Sequence, residues 1–502
     1  MKKKIFKLIC LLVCAVTALG AVLGLAACGK KAKLLEENIV DDKYDNFYEI
    51  FVYSFYDSDG DGYGDLNGVT QKLDYIRDLG YTGIWLMPIN PCTSYHGYDV
   101  EDYCAINPRF GTLDDYKNLI SSAHEKGIKV ITDLVVNHTS SRHNWFEAAL
   151  AGNPQYINYY NFSNVQQDGY HQMNGKWYES WFSEGMPDLN LENQQVLDEI
   201  EKIIKFWLDL GTDGFRLDGV RYYGTTSDKS IKFCTWLAQT TAKYNENAYV
   251  VGENWSSRSD IAAFYESGID SFFYFDTAGS VTAAINTSSA AEMWILMKKC
   301  TETSKGNISA PFLSNHDNGM GRFAGRAGRK EEKIKFGYGL LSMMSGCTFT
   351  YYGDEIGMVA KNAQSDPDLR VGMLWDNKKT NLTKSPPGAS ADIEYIFDGV
   401  KEQLADPGSI LNYYKRCNNA RNAFPELMRG AAERITVDDE NVLAFKKTYN
   451  GETVTVVINL SEEKKTVEGI QGLLAQDICV KGSVGRSGTK LTMPMYSIAI
   501  LK

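Results

Sequence analysis

The sequence predicts a (β/α)8 TIM barrel with a subdomain inserted after the third strand and an antiparallel β-sandwich at the C-terminus. Three observations carry that expectation. From residue 47, short β-branched or aromatic runs alternate with longer amphipathic stretches, eight times over about 370 residues. One stretch, 139–190, is rich in Asn, Tyr and Gly and has little helical period. After about residue 425, helical patterns give way to closely spaced strands. Alternation alone also fits a doubly wound open sheet, so that alternative stays open at this point.

The candidate strands are 47–55, 82–89, 129–136, 214–220, 248–253, 271–275, 310–315 and 347–352. Between them, Val69, Leu73, Ile76 and Leu79 share one helical face that Gly80 terminates. Thr112 is placed to cap a helix running through Ala123, with Gly127 as its stop, and a third apolar face runs from Val196 to Leu210 and ends at Gly211. In the tail, 442–448, 453–459 and 496–501 read as strands, the first two joined by Asn450-Gly451, a dipeptide suited to a tight hairpin turn. The implied organisation is 43–138 and 191–424 for the barrel, 139–190 for the insert and 425–502 for the sandwich.

The N-terminus stands outside this fold. Lys2, Lys3 and Lys4 precede a charge-free apolar run from Leu8 to Ala27, the pattern of an export signal. At about twenty residues it is also long enough to span a bilayer as an uncleaved anchor. Leu25-Ala26-Ala27-Cys28 resembles the lipobox of bacterial lipoproteins. That resemblance implies cleavage before Cys28, lipid on its thioether, and an extracytoplasmic protein tethered to the bacterial membrane through the polar segment 28–42. The other seven cysteines, at 92, 104, 234, 300, 347, 417 and 479, are an odd and scattered set. They form no disulfide framework and no zinc spacing. Cys92 and Cys104 are near enough in sequence to pair, though free buried thiols are the expectation for all seven.

The net charge of −11 includes four lysines within the first seven residues, so the rest of the chain is more acidic still. Such a surface disfavours nucleic acid, whose binding rests on phosphate neutralisation, and no nucleic-acid partner is expected. It leaves a neutral sugar unhindered, and the 30 tyrosines and 9 tryptophans suit sugar faces, although most serve the core. A monomer is expected.

A barrel of this kind builds its site at the C-terminal ends of its strands. Strand three ends in Asp133-Leu-Val-Val-Asn137-His138. Strand four holds Arg216-Leu-Asp218, strand five leads into Gly252-Glu253-Asn254-Trp255, and strand seven into Asn315-His316-Asp317-Asn318. After strand two comes His96-Gly97-Tyr98-Asp99, so three of the six histidines fall in these loops. The set resembles the signature regions of the α-amylase superfamily, glycoside hydrolase family 13. Met186-Pro-Asp-Leu-Asn190 is similar to a fifth segment of that family, intermediate between its oligo-1,6-glucosidase and neopullulanase forms. The resemblance covers nearly the whole mature chain. It implies Asp218 as nucleophile, Glu253 as general acid/base and Asp317 as transition-state stabiliser. His96, Tyr98, His138, Arg216 and His316 would then surround the sugar at the cleavage point.

The chemistry is sound on its own terms. A retaining glycosidase needs two carboxyls about 5–5.5 Å apart, and residues at the ends of neighbouring strands start about 4.8 Å apart. Arg216, two residues before Asp218 and on the same strand face, can hold it ionised. Burial and the nearby acids would keep Glu253 protonated.

Asp57, Asp59, Asp61 and Asp65 alternate with glycines and Tyr63, a pattern that offers a hard cation several oxygens. Position twelve of the loop is Gly68, so it lacks the bidentate Glu of an EF-hand. It resembles the calcium loop after the first strand in two branches of the family. That implies Ca2+ held by Asp57, Asp59, Asp61, the Tyr63 carbonyl and Asp65; an acidic solvated turn is the alternative. After Asp218 the sequence reads Gly219-Val220-Arg221-Tyr222, not the small pair and Lys-His of secreted α-amylases. This puts in doubt a second calcium, for which Asn137 is the natural ligand. Asp366-Pro-Asp-Leu-Arg370 resembles the family segment that holds the next sugar on the non-reducing side, with a surface ion-paired turn as the alternative.

The implied function is a retaining hydrolase of α-1,4-glucosidic bonds in starch and maltodextrins. Within the family the alternatives are an α-glucosidase, a neopullulanase or cyclodextrinase, or a glucan transglycosylase. Outside it stands a non-catalytic glucan-binding lipoprotein, which would have no need of a nucleophile.

Overall fold

The computed structural model describes residues 35–502. The export signal, Cys28 and the first part of the tether lie outside the described residues. No helix among the described residues is long and apolar enough to cross a membrane.

Eight parallel strands make the central sheet: β1 Asn46–Ile50, β2 Gly83–Leu86, β3 Lys129–Leu134, β4 Gly214–Leu217, β5 Tyr249–Gly252, β6 Ser271–Tyr274, β7 Ile308–Pro311 and β8 Thr348–Tyr351. Each strand pairs with its sequence neighbour from β1 to β7, and β8 pairs with β1. A parallel bridge between Phe312 and Phe349 joins the β7 and β8 ends and closes the ring. Sequential order with closure makes this a barrel and disposes of the doubly wound alternative. Its interior is aromatic: Phe47 stacks on Tyr249 at 5.1 Å and on Phe349 at 4.8 Å, and Trp85 tilts against Phe273 at 5.5 Å. These rings form an apolar floor under the C-terminal strand ends.

Several elements depart from the sequence reading. The run 47–55 is a strand only to Ile50; Val52–Phe55 is a helical turn, with all four residues buried. Strand seven starts at Ile308 and ends at Pro311, earlier than expected, so His316 and Asp317 stand on a loop beyond it. The helix expected through Leu79 is two, Leu66–Gln71 and Leu73–Asp78, broken at Lys72. The Thr112 helix spans Leu113–Glu125 and begins with a capping box, Thr112 and Asp115 each satisfying the other's backbone N–H. The third helix, Gln194–Asp209, buries Val196, Ile200, Ile203, Ile204 and Trp207.

Within 139–190 lie a short α-helix, Asn144–Leu150, a 3-10 turn, Ile157–Tyr159, and a three-stranded antiparallel sheet of Phe162–Ser163, Lys176–Glu179 and Tyr170–Met173. This segment is bound to the end of β3 by a bridge from His138 to Asp188. At the C-terminus an antiparallel five-stranded sheet faces a three-stranded one, with Val442, Val457 and Ala499 of the first packing against Val467, Leu491 and Met493 of the second. The Asn450-Gly451 turn has φ of +49° and +82°, as a two-residue hairpin requires. All seven cysteines among the described residues are free. Cys92 and Cys104 are half-buried, not fully buried as expected, because both lie in the loop after β2.

Candidate active site

Strand register sets the site. In the β4–β5 pair Leu217 faces Gly252, so the next residues, Asp218 and Glu253, leave the barrel side by side. Gly219 then turns the chain with φ of +54°, a left-handed conformation that favours glycine. Its N–H donates to Glu253 Oε2 at 2.9 Å.

One guanidinium organises the acids. Arg216 is fully buried and holds Asp218 Oδ1 from Nη1 at 2.7 Å and Glu253 Oε2 from Nη2 at 3.0 Å. Nη1 also reaches Asp133, whose second oxygen accepts from Trp85 Nε1 at 3.0 Å. Burial lifts the Glu253 carboxyl to about 7; Arg216 opposes this, while Asp218 and Asp317 reinforce it. That is the condition of an acid that keeps its proton near neutrality. Burial likewise raises Asp317 against the pull of Arg370 and Arg216.

The remaining residues close around the same point. The Tyr98 hydroxyl lies 2.8 Å from His316 Nε2, and the two rings stack at 5.6 Å. His138 sits under the Tyr98 backbone, its Nε2 3.1 Å from the carbonyl, and its ring touches Phe182 at 5.1 Å. The His96 ring lies 6.0 Å from Tyr98, and its Nδ1 accepts the Tyr98 N–H at 3.1 Å. Arg370 Nη2 lies 3.3 Å from Asp317 and 3.4 Å from Asp366, and its Nε donates to the His316 carbonyl at 3.0 Å. Burial lowers the His96, His138 and His316 pKa values, so these imidazoles are neutral hydrogen-bonding groups at pH 7.

A cleft of about 440 Å³ opens above, lined by Glu253, Asp317, Asn318 and Asp366 and by Phe182, Tyr222 and Trp255. Trp255 is 42% exposed yet held firmly. It stacks on Phe275 at 4.8 Å and 13°, and a Cβ on Gly319 would fall 2.1 Å from its ring. Phe182 and Tyr222 meet edge to face at 4.9 Å. Sequence reasoning assigned no part to these rings, nor to Asp133. The only available signal was their position beside the motifs.

The acidic loop lies apart from this cluster. Carboxylate oxygens of Asp57, Asp59 and Asp61 lie within 4.8 Å of one another. Asp65 is not brought into that group. Its oxygens accept from Ser58 N and Oγ and from Gly68 N at 2.7–2.8 Å, and it serves as N-cap of the following helix. Tyr63 donates its N–H to Asp61. The donors are all carboxylate oxygens, which suits a hard divalent cation. Asn137, the residue considered for a second ion, gives its amide to Asp188 at 3.0 Å.

A family model for the α-amylase catalytic domain matches residues 49–430. The chain belongs to the α-amylase family. It is 36% identical over 470 residues to α-amylase 3 of Dictyoglomus thermophilum, covering 91% of this chain and 92% of that protein. The solved structure of Eubacterium rectale Amy13B superposes with a TM-score of 0.88 at 38% identity, over 93% of this chain and 97% of that one. A 4-α-glucanotransferase of Thermotoga maritima is 29% identical over 446 residues, covering 84% of this chain and 97% of that protein. As an α-amylase-family enzyme, the chain is a retaining glycoside hydrolase. Enzymes of this family commonly bind calcium.

Proposed function

We propose that this α-amylase-family hydrolase cleaves internal α-1,4 bonds of starch and maltodextrins. The observation that carries the reading is the row of rings beside the acids. Tyr222 and Trp255 follow the nucleophile and the acid within four and two residues, and with Phe182 they line the cleft that Glu253 shares. Glu253 protonates the leaving oxygen, so rings beside it face the leaving part of the glucan. Flat rings pack against sugar faces at modest entropic cost. Such a surface suits several glucose units on that side, whereas an enzyme that releases single end units needs little there.

In this reading the Asp218 carboxylate attacks the anomeric carbon as the Glu253 proton passes to the departing oxygen. A glycosyl ester on Asp218 results. Water then attacks the same carbon, Glu253 takes its proton, and Asp218 leaves, so configuration is retained. Asp317, His316 and Tyr98 bind the hydroxyls of the flattened ring, and Asp366 and Arg370 hold the next sugar. Asp57, Asp59 and Asp61 would hold Ca2+, which would pin the loop after β1.

The test is a time course from soluble starch and from maltoheptaose. Early fragments of intermediate length support internal cleavage; glucose alone, released from chain ends, would overturn it. The similarity to a 4-α-glucanotransferase favours a second reading, transfer to an acceptor sugar on the same rings, and products longer than the maltoheptaose supplied would establish it. We propose further that the enzyme is an extracytoplasmic lipoprotein, on the strength of the Leu25–Cys28 motif. Mass spectrometry from a bacterial host should find Cys28 as the lipidated N-terminus. Equal membrane partition of wild type and Cys28→Ala after signal removal would refute this.

A further inference from the structure

A further buried carboxyl lies beside the catalytic cluster with no part assigned to it. Glu49 stands on β1, 1% exposed, with Oε1 2.6 Å from His316 Nδ1. His316, also 1% exposed, presents its other nitrogen, Nε2, to the Tyr98 hydroxyl at 2.8 Å and to Asp317 Oδ1 at 3.4 Å. Glu49 therefore touches the far side of a ring whose other nitrogen faces Tyr98 and Asp317.

The second Glu49 oxygen adds an independent observation. Glu49 Oε2 and Arg216 Nε are both buried, and neither finds a hydrogen-bond partner among the described residues. Both residues line one small cavity of about 10 Å³, together with Glu253, Asn315 and the rings of Trp85, Phe273, Phe312 and Phe349. That is room for one water, and such waters occupy cavities with two or more polar partners. A water there, accepting from Arg216 Nε and donating to Glu49 Oε2, would satisfy both orphaned atoms.

The surroundings decide where the proton between Glu49 and His316 resides. Burial first, then Asp317, Asp133 and Asp354, push Glu49 well above the carboxylate range, with Arg216 opposing. Tyr351 of β8 also faces it. Burial, Arg370, Arg216 and His96 hold His316 well below its ordinary value. Both directions favour a neutral pair, with the Glu49 O–H donating to Nδ1 and the imidazole proton on Nε2.

We propose that Glu49 is a positioning residue, which fixes His316 as the Nε2–H tautomer and, through one internal water, couples to the guanidinium that holds Asp218 and Glu253. The N–H on Nε2 is then aimed at the Tyr98 hydroxyl and Asp317, the two groups that would meet the sugar in the glycosidase reading. A hydrogen bond to the far nitrogen of an imidazole is the usual device for choosing its tautomer. The consequence for catalysis rests on the glycosidase reading of the site; the tautomer itself does not.

The test uses the full chain labelled with 15N-histidine, with His316→Gln to assign its signals among the six histidines. His316 should show its proton on Nε2 in wild type and in Glu49→Gln, whose amide N–H also donates to Nδ1. Kinetics on maltoheptaose should show Glu49→Gln within about threefold of wild type. Glu49→Leu and Glu49→Asp should lose about 10–100-fold in kcat. Their KM should hardly move, because the His316 contact strengthens as the ring flattens. Glu49→Asp guards against a Leu variant that fails to fold: it keeps the carboxyl but is one methylene too short to reach Nδ1. A proton on Nδ1 in wild type would overturn the proposal. So would Glu49→Asp with full kcat, a Glu49→Asp loss confined to KM, or a Glu49→Gln loss as deep as that of Leu. If wild type proved inactive on glucans, the glycosidase reading would fail while the tautomer measurement still judged this one.

Discussion

The enzyme carries two clusters of carboxylates, and they illustrate how surroundings assign work to one residue type. Around Arg216 the acids are buried, share one guanidinium, and in Glu253 are lifted to about 7. In the 57–65 loop Asp59 and Asp61 are exposed, and the side chains accept from backbone N–H groups of their own loop, such as Gly60 and Gly62 on Asp57 at 2.7 and 2.8 Å. Burial with a single cation makes one cluster fit for bond-making and proton transfer. Solvent and backbone donors make the other fit for holding an ion and a loop. On the proposed function, changes in the first cluster should alter rate and changes in the second should alter stability.

The widest separation of the two should come from Asp218→Asn. Without a carboxylate to form the glycosyl ester, turnover on glucan should fall by several orders of magnitude, while binding of maltodextrin persists. Wild-type products should appear first as α-anomers by proton NMR, because two displacements restore the configuration. Initial β-anomers would overturn double displacement, and full activity in Asp218→Asn would reassign the nucleophile.

Glu253→Gln should come next. It should be nearly as damaging on glucan but milder on a glucosyl fluoride, which departs without a proton. In wild type the alkaline limb of kcat/KM should fall near pH 7, where Glu253 loses its proton. Stability should respond in the opposite sense. Glu253 has a folded-state pKa raised from 4.5 to about 7, so the folded state resists ionisation that the unfolded chain accepts. The resulting cost grows as pH rises from 4.5 to about 7 and remains above it. Glu253→Gln removes that cost, so its thermal midpoint should exceed that of wild type at pH 8 and approach it at pH 4. An equal midpoint at both pH values would mean that Glu253 is not held in its protonated form by burial.

Much of this was legible in the sequence, for physical reasons that also mark where legibility ends. Barrel strands and helices announce themselves by period, and Thr112 with Asp115 three residues later is a local signal that needs no partner elsewhere. The same local logic misassigned 52–55, where an aromatic run is buried as a helical turn, and missed the break at Lys72. Closure of the ring rests on the Phe312–Phe349 bridge, which no periodicity reveals. In the site, residues that share a motif, such as Arg216 and Asp218, were visible together. Contacts created by closure were not: Glu49 meets His316 across 267 positions, and Arg370 meets Asp317 across 53. The stack of Trp255 on Phe275 against Gly319 likewise joins the ends of three strands.

The smallest effect belongs to the acidic loop, and it separates two kinds of carboxylate within that loop. If Asp57, Asp59 and Asp61 hold calcium, a chelator should lower the thermal midpoint, because an ion bound only by the native state stabilises it by mass action, about 2.7 kcal/mol at a hundredfold excess over Kd. In a chain this long that amounts to a few degrees, since about 2–4 °C per kcal/mol holds for 150–250 residues and less for longer chains. Asp57→Ala with Asp61→Ala should abolish the chelator shift, while kcat at 25 °C stays near wild type because the loop lies outside the Arg216 cluster. Asp65→Ala should behave differently. Its oxygens are already committed to Ser58 and Gly68, so its loss removes a helix cap. That costs about 1 kcal/mol with or without chelator. The chelator shift should therefore survive in Asp65→Ala. Its disappearance there would make Asp65 a ligand and bring the whole loop into the metal site; a wild-type midpoint that ignores chelator, with no metal found by elemental analysis, would leave the loop an acidic turn held by its own backbone.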